Sequence, residues 1–158
     1  MRLRQRSKMC YKHLISLLLS LAFVVCSSSL YSQDDTVYKK ADEMARFPGC
    51  EDISLYEEDI IKCSERLLLE YIYGHLIYSK TDRDDKIEGT TVVQFIIEKN
   101  GSISNIKLAR DIGGSCGANA VRVIEEMNDL PEKWRPAHID GLPVRSYYTL
   151  PIRFKIHG

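Results

Sequence analysis

Apolar residues recur at two different periods along this chain. In residues 56–76 and 118–127 they lie three or four positions apart, which is the spacing of an amphipathic helix. In residues 92–98, 105–109 and 144–156 they alternate with polar residues, as in a strand that has one apolar and one wet face. The pattern therefore predicts the order helix, strand, strand, helix, strand.

The segments between these elements indicate how the strands pair. Asn100-Gly101 separates the first two strands and is typical of a two-residue hairpin turn, in which both residues take positive φ. Residues 81–89 and 130–143 have the composition of loops, and Trp134 in the second is predicted to form a hydrophobic lid on the core. We expect an α+β two-layer sandwich, with a three-stranded antiparallel sheet and helices on one face.

A proline in the last strand predicts which edge of the sheet is open. Pro151 has no N–H to donate, so its backbone should face the unpaired side. Because alternate residues of a strand point their backbone groups the same way, four further residues should share that open side, namely Tyr147, Thr149, Arg153 and Lys155.

Basic side chains line the same strand and have two interpretations. Arg145, Arg153 and Lys155 either protect an edge strand from aggregation or attract an acidic or carboxylate-bearing partner strand. We therefore treat the following residues as a candidate partner-binding site: Arg145, Tyr147, Thr149, Pro151, Arg153 and Lys155.

The N-terminal segment has the layout of a secretory signal. Five basic residues precede an apolar run at 14–25, and small polar residues follow it. The run is about 12 residues long, whereas a membrane span needs roughly 20. We expect residues 1–32 to be a signal peptide or an N-terminal anchor, with a lipid on Cys26 as a further alternative. A short tether at 33–46 would then lead to one domain at 47–158.

Loss of that segment changes the net charge of the protein. The whole chain has 22 basic and 22 acidic residues, and without the five N-terminal cations 17 basic residues face 22 acidic ones, a net charge of −5. The exported part has no basic block of the kind that binds phosphate backbones, so we expect no nucleic-acid partner.

Three cysteines remain in the exported part, and two of them are expected to pair in an oxidising compartment. Cys50, Cys63 and Cys116 allow three pairings, of which Cys50–Cys63 is favoured because these residues flank one short acidic segment. We expect no metal site, since no CxxC occurs and the four histidines lie far apart. No cofactor is expected either.

The sequence GGSCG at 113–117 matches the G-x-S-x-G nucleophile turn and lies between a strand and a helix. A serine hydrolase at Ser115, with His138 or His157 as base, is one interpretation, and a redox thiol at Cys116 is another. However, the preceding strand belongs to an antiparallel hairpin, the domain is small, and no Gly-rich oxyanion loop precedes the motif. We therefore expect a tight turn capped by Ser115, no catalytic residue and no enzyme.

Four short motifs resemble those of the TonB C-terminal domain family. They are EGT at 88–90, NGSI at 100–103, W-x-P at 134–136 and GLPV at 141–144, and the FPGCED sequence at 47–52 is similar to short bacteroidete-type members. The resemblance covers roughly 47–156. It implies the same α+β layout and a non-enzymatic role, in which TonB couples inner-membrane energy to transport through outer-membrane receptors.

The resemblance also implies partners and a site. In this family the last strand accepts the TonB box, an N-terminal peptide of a TonB-dependent receptor, by β-augmentation, and the matching positions are 146–154. ExbB- or ExbD-like inner-membrane proteins would be further partners, and the location would be the periplasm, with or without an inner-membrane anchor. A structural domain that homodimerises through the same edge is the alternative function.

Overall fold

The computed structural model describes residues 35–51 and 56–156, and the predicted signal peptide or anchor lies outside them. No helix in these two ranges is both long enough and apolar enough to cross a membrane. The helices are α1 (Glu57–His75), α2 (Lys80–Asp84) and α3 (Cys116–Glu126), and a 3-10 turn follows at Met127–Asp129. The strands are β1 (Val37–Tyr38), β2 (Gly89–Ile97), β3 (Ile103–Arg110), β4 (Ala137–Ile139) and β5 (Leu142–Phe154).

The long strands form an antiparallel sheet in which β2 is flanked by β3 and β5. Two short strands extend it, because β1 pairs with β5 in parallel and β4 pairs with the beginning of β5. The α+β class is therefore as predicted, but the sheet has five strands rather than three. Neither short strand produces a recognisable alternation, since they contain only two and three residues.

The core lies between the apolar face of the sheet and the two longer helices. Phe95 and Ile152 are completely buried on the sheet side, and they pack against α1 and α3. The helical residues of this cluster are Leu68, Ile72, Ala120, Val123 and Ile124. The apolar residues of the helices and those of the strands thus pack into one core. The opposite face of the sheet carries no helix in the described part of the chain, and we call it the open face.

Both hairpin turns differ from the prediction. In the β2–β3 turn only Gly101 has positive φ (+78°), and Glu98 closes the turn by a backbone bond to Ser102 (2.8 Å). A Cβ on Gly101 would lie 2.1 Å from the Trp134 carbonyl oxygen, so the turn also needs glycine for close approach. The turn with two positive φ values is Asp140-Gly141 (+51° and +74°), which joins β4 to β5 inside the predicted loop.

Other connecting segments are more ordered than their composition indicates. The predicted loop at 81–89 begins with α2, in which Asp82 is only 4% exposed. Trp134 is not a lid on the core but part of it, at 3% exposure. Residues 35–46, the predicted tether, contact the domain through β1 and through isolated bridges from Glu43 to His138 and from Arg46 to Arg135.

A disulfide fixes the beginning of α1. It joins Cys50 to Cys63, the pair that the spacing favours, with the two Cα atoms 6.0 Å apart. At the next residue of α1, the Ser64 hydroxyl donates a hydrogen bond to the Phe47 carbonyl (2.8 Å). Cys116 is a buried free thiol. The disulfide and this hydrogen bond both hold the segment before α1 against the helix.

Candidate functional site

The orientation of β5 follows from the register of Pro151. Pro151 lies opposite Val92, and because it has no N–H this must be a non-hydrogen-bonded pair of the antiparallel ladder. Thr149, opposite Gln94, has the same parity and therefore also directs its N–H and C=O away from β2. The outer edge of β5 is thus the side that presents the backbone of Tyr147, Thr149, Pro151 and Arg153.

Other parts of the chain cover the two ends of this edge. We call the end near Arg145 the upper end and the end near Arg153 the lower end. At the upper end, β1 pairs with Arg145 and Ser146. At the lower end, the Arg153 N–H donates to the hydroxyl of Tyr73 in α1 (3.3 Å). Among the described residues, no strand pairs with the outer side of β5 between these ends. We call this stretch, Tyr147–Pro151, the open edge.

The candidate side chains differ in how accessible they are. Thr149, Pro151, Arg153 and Lys155 are exposed, whereas Tyr147 is half-buried. The Thr149 hydroxyl accepts a hydrogen bond from the Gln94 amide (3.3 Å) and so lies over the open face of the sheet. Lys155 directly follows the end of β5.

Arg145 is not a free cation. Its guanidinium donates two hydrogen bonds to the Glu98 carboxylate (2.7 and 3.0 Å) and one to the Asp35 carbonyl (2.8 Å). The Arg145 side chain is 22% exposed, and Ser104 donates a further hydrogen bond to Glu98. These bonds hold Arg145 against the open face of the sheet, beside the end of β1.

A groove of about 500 Å³ lies at the lower end of the open edge. It is lined by Tyr73, Leu76, Tyr78, Arg153, Phe154 and Lys155. Its floor is aromatic and aliphatic, and its rim carries two cations that make no ion pair within the described residues. Such a groove fits an apolar side chain that has a carboxylate nearby.

Comparison with known proteins identifies the family. The model of the Gram-negative bacterial TonB protein C-terminal family matches residues 74–156, just over half of the chain. The chain belongs to the TonB C-terminal family. This result confirms the family that the EGT, NGSI, W-x-P and GLPV motifs indicate. The cell envelope is where this family works, its role is TonB-type energy transduction, and its members are generally not enzymes.

Solved structures of TonB C-terminal domains are similar to this chain at a low level. A solution NMR structure of the Helicobacter pylori TonB C-terminal domain is 21% identical, covers 58% of this chain and 91% of its own, and has a TM-score of 0.46. A longer fragment of the same domain is 20% identical and covers 60% and 84%, with a TM-score of 0.45. No curated protein matches the chain significantly.

The GGSCG motif forms a structural joint in this TonB C-terminal domain. The Ser115 hydroxyl and N–H both donate to the carboxylate of Asp82, which lies in α2. Gly114 has positive φ (+60°), and a Cβ there would lie 2.2 Å from that carboxylate. Hydrogen bonds, chiefly from the Ser115 hydroxyl, hold the pKa of Asp82 below its ordinary value. The Ser115 hydroxyl thus makes no cap hydrogen bond to α3, contrary to the prediction, and the motif instead fixes α2 to the beginning of α3.

Cys116 lacks the character of a redox or nucleophilic thiol. Its side chain is completely buried. Burial, together with the negative charges of Asp82 and Asp111, raises the pKa of the thiol to about 11. At neutral pH Cys116 is protonated and packs as a small apolar residue.

The Glu98–Arg145 pair gives a pH-dependent contribution to stability. Hydrogen bonds from Arg145 hold the pKa of Glu98 below its ordinary value, so the folded state favours the charged carboxylate. The contribution is complete above the unfolded pKa of about 4.3 and is lost as the pH falls through the lower folded value. We expect Glu98→Gln to lower the free energy of unfolding by about 1–2 kcal/mol at neutral pH and to flatten its acid dependence.

Urea unfolding at about pH 7 and about pH 3.5 would test this expectation. Glu58→Gln is the matched control, because Glu58 pairs with Lys62 on the exposed face of α1 and such pairs contribute little. Equal acid dependence of the wild type and Glu98→Gln would contradict the prediction.

Proposed function

We propose that this domain binds N-terminal peptides of TonB-dependent outer-membrane receptors by adding the peptide as a strand to the outer side of β5. The domain would thereby take part in energy-dependent transport across the outer membrane. It would work in the periplasm, with residues 1–32 as its signal peptide or N-terminal anchor, and ExbB- or ExbD-like inner-membrane proteins would supply the energy.

The observation that carries the proposal is the open edge itself. Thr149 presents both a donor and an acceptor on the outer side of β5, and Pro151 adds an acceptor, in a stretch whose other side pairs with β2. Extended peptides recognise such edges through main-chain hydrogen bonds. Folded proteins usually cover or shorten a long edge unless it is used.

The side chains beside the open edge favour a particular kind of peptide. The groove beside Arg153 has apolar walls and two exposed cations, so it would accept an apolar residue next to an acidic one. Tyr147 would contact the next side chain toward the upper end. In this arrangement backbone bonds would provide affinity and the groove would provide selectivity.

Amide NMR titration of the protein with receptor N-terminal peptides would test the proposal. We expect shifts concentrated on residues 147–155, with smaller changes at Tyr73 as its hydroxyl leaves the Arg153 N–H. A peptide of the same composition in scrambled order is the control. Absence of shifts at about 1 mM peptide, which corresponds to only about 4 kcal/mol of binding free energy, would overturn the proposal.

Self-association through the same edge is the second candidate function, and the same open edge supports it. Two β5 strands from different copies would pair and give a symmetric dimer. Light scattering over a range of protein concentrations separates the two candidates. A mass that stays that of a monomer while receptor peptides bind would exclude the dimer as the function of the edge.

A further inference from the structure

The upper end of β5 already carries an added strand, and it comes from the same chain. Val37 and Tyr38 of β1 pair in parallel with Arg145 and Ser146. The paired residues of the two strands are 108 positions apart in sequence, so no local turn imposes this contact. β1 thus occupies the side of β5 on which a receptor strand is proposed to bind.

The register shows how β1 is held. Ser146 lies opposite Ile97 and directs its backbone toward β2, so Tyr38 must direct its own N–H and C=O toward the residues on either side of Ser146. The Val37 N–H consequently points away from β5. One further contact anchors β1, because the Arg145 guanidinium binds the Asp35 carbonyl and lies 3.8 Å from its carboxylate.

The stretch that β1 leaves uncovered is short. Pro151 has no donor, and the Arg153 N–H is bonded to Tyr73. The Tyr147 N–H faces the Tyr38 carbonyl of β1, so a peptide restricted to the open edge would find only the Thr149 N–H as a donor. A longer strand needs the backbone groups around Arg145 that β1 now uses. β1 has two residues, both half-buried, and contacts of this size belong to the least stable parts of a fold.

We propose that residues 35–38 are an internal strand that occupies the upper half of the peptide site, and that an incoming peptide displaces it. The incoming strand would run parallel to β5, as β1 does, and would place an acidic residue at Arg145, where Asp35 lies now. This inference rests on the proposed function, and it adds to it the direction of the peptide, its acidic position and an intramolecular competitor.

The affinity of the site depends on how often β1 is released. A short tethered strand acts at an effective concentration of about a millimolar, so a free peptide must compete with it. If the site is open for about a tenth of the time, its apparent affinity is reduced about 10-fold. Release of β1 should therefore raise the apparent affinity for the peptide about 10-fold, although the peptide makes no additional contact.

The experiment uses the full chain and two proline variants of β1. Tyr38→Pro removes the amide that faces β5, whereas Val37→Pro removes an amide that faces away and serves as the matched control. The probe is a synthetic peptide of residues 35–40, DTVYKK, acetylated and amidated. We expect it to bind Tyr38→Pro about 10-fold more tightly than the wild type or Val37→Pro, with amide shifts at 145–149.

A probe that carries Asp35→Asn tests the acidic position. We expect it to bind Tyr38→Pro about 2- to 5-fold more weakly than the parent peptide, because it loses a carboxylate that lies 3.8 Å from Arg145 in an exposed ion pair. If Tyr38→Pro loses the folded amide spectrum, Val37→Gly combined with Tyr38→Gly weakens the same strand through backbone entropy and should act in the same direction.

The outcomes separate the two proposals. Equal affinity of the probe for all variants, or shifts away from 145–149, would overturn the internal strand. If receptor peptides bind the wild type and Tyr38→Pro equally, the competition is overturned while strand addition stands. If the probe binds Tyr38→Pro at 145–149 but receptor peptides bind no variant, β1 is an exchangeable strand and the proposed receptor function fails.

Discussion

Trp134→Ala is expected to lower the free energy of unfolding by about 3–5 kcal/mol, the usual loss when a large aromatic residue is removed from a core. Trp134 is only 3% exposed. Its ring makes edge contacts with Phe47, Phe95 and Tyr148 at centroid distances of 5.5, 5.9 and 5.0 Å. Each such pair contributes beyond its buried area, because the ring edge of one residue faces the electron-rich face of another.

This residue connects three parts of the chain that are distant in sequence. Phe47 belongs to the segment before α1, Phe95 to β2 and Tyr148 to β5. The Trp134 carbonyl also packs against Gly101 in the β2–β3 turn. The cavity left by alanine would therefore loosen several contacts at once, and the surroundings have little freedom to collapse into it.

Urea unfolding followed by far-UV circular dichroism would measure the effect, since the only tryptophan is lost in the variant. Trp134→Phe is the matched control. Its free energy of unfolding should fall clearly less than that of Trp134→Ala, because it keeps an aromatic ring in the cluster. Leu142→Ala, at a side chain that is 68% exposed, should change the free energy of unfolding by less than about 0.5 kcal/mol. A loss below about 1 kcal/mol in Trp134→Ala would contradict the prediction.

The long elements of this fold can be predicted from sequence because their patterns are local. The helical period over α1 and α3 and the alternation over β2, β3 and β5 each arise within one segment that has one buried face. The Asp140-Gly141 turn also carries a local signal. An Asp-Gly pair between short apolar runs is a recognised hairpin sequence, although the three prolines of 130–143 favour a loop there.

Contacts between distant residues could not be predicted in this way. Asp82 accepts hydrogen bonds from Ser115, 33 positions later, and only the fold brings the two together. Strand β1 has a two-residue pattern, and its partner lies at the other end of the domain. Nothing in either sequence segment identifies the other.

The candidate site likewise contains one feature that the sequence indicates locally and one that depends on contacts between distant residues. Pro151 indicates the open edge by its own chemistry, because a missing N–H has the same meaning in any strand. The partners of Arg145 depend on the register of three strands, which places Glu98 within 2.7 Å of its guanidinium. Sequence patterns place both side chains on the wet face of the sheet but give no register.

Thr149→Pro is expected to weaken receptor-peptide binding by more than about 10-fold, as measured by amide NMR titration or calorimetry. The substitution removes the one backbone donor of the open edge that neither β1 nor Tyr73 covers. The loss of one hydrogen bond alone would lower the affinity roughly 2- to 10-fold. The proline ring also fills the space that an added strand would occupy.

The same substitution should leave the fold intact. Thr149 lies opposite Gln94 in a non-hydrogen-bonded pair, so its N–H takes no part in the ladder with β2. The residue before it, Tyr148, is already in a strand, which is the conformation that a following proline favours. Pro151 shows that β5 accepts proline at this parity, and we expect the free energy of unfolding to fall by no more than about 1–2 kcal/mol.

Thr149→Val distinguishes the backbone from the side chain. It loses the hydroxyl that accepts from Gln94, as proline does, but it keeps the N–H and suits a strand. If strand addition is correct, Thr149→Val binds receptor peptides nearly as the wild type does, and Thr149→Pro does not. If both variants lose affinity equally, the peptide recognises the open face of the sheet through side chains, and the edge of β5 is not its site.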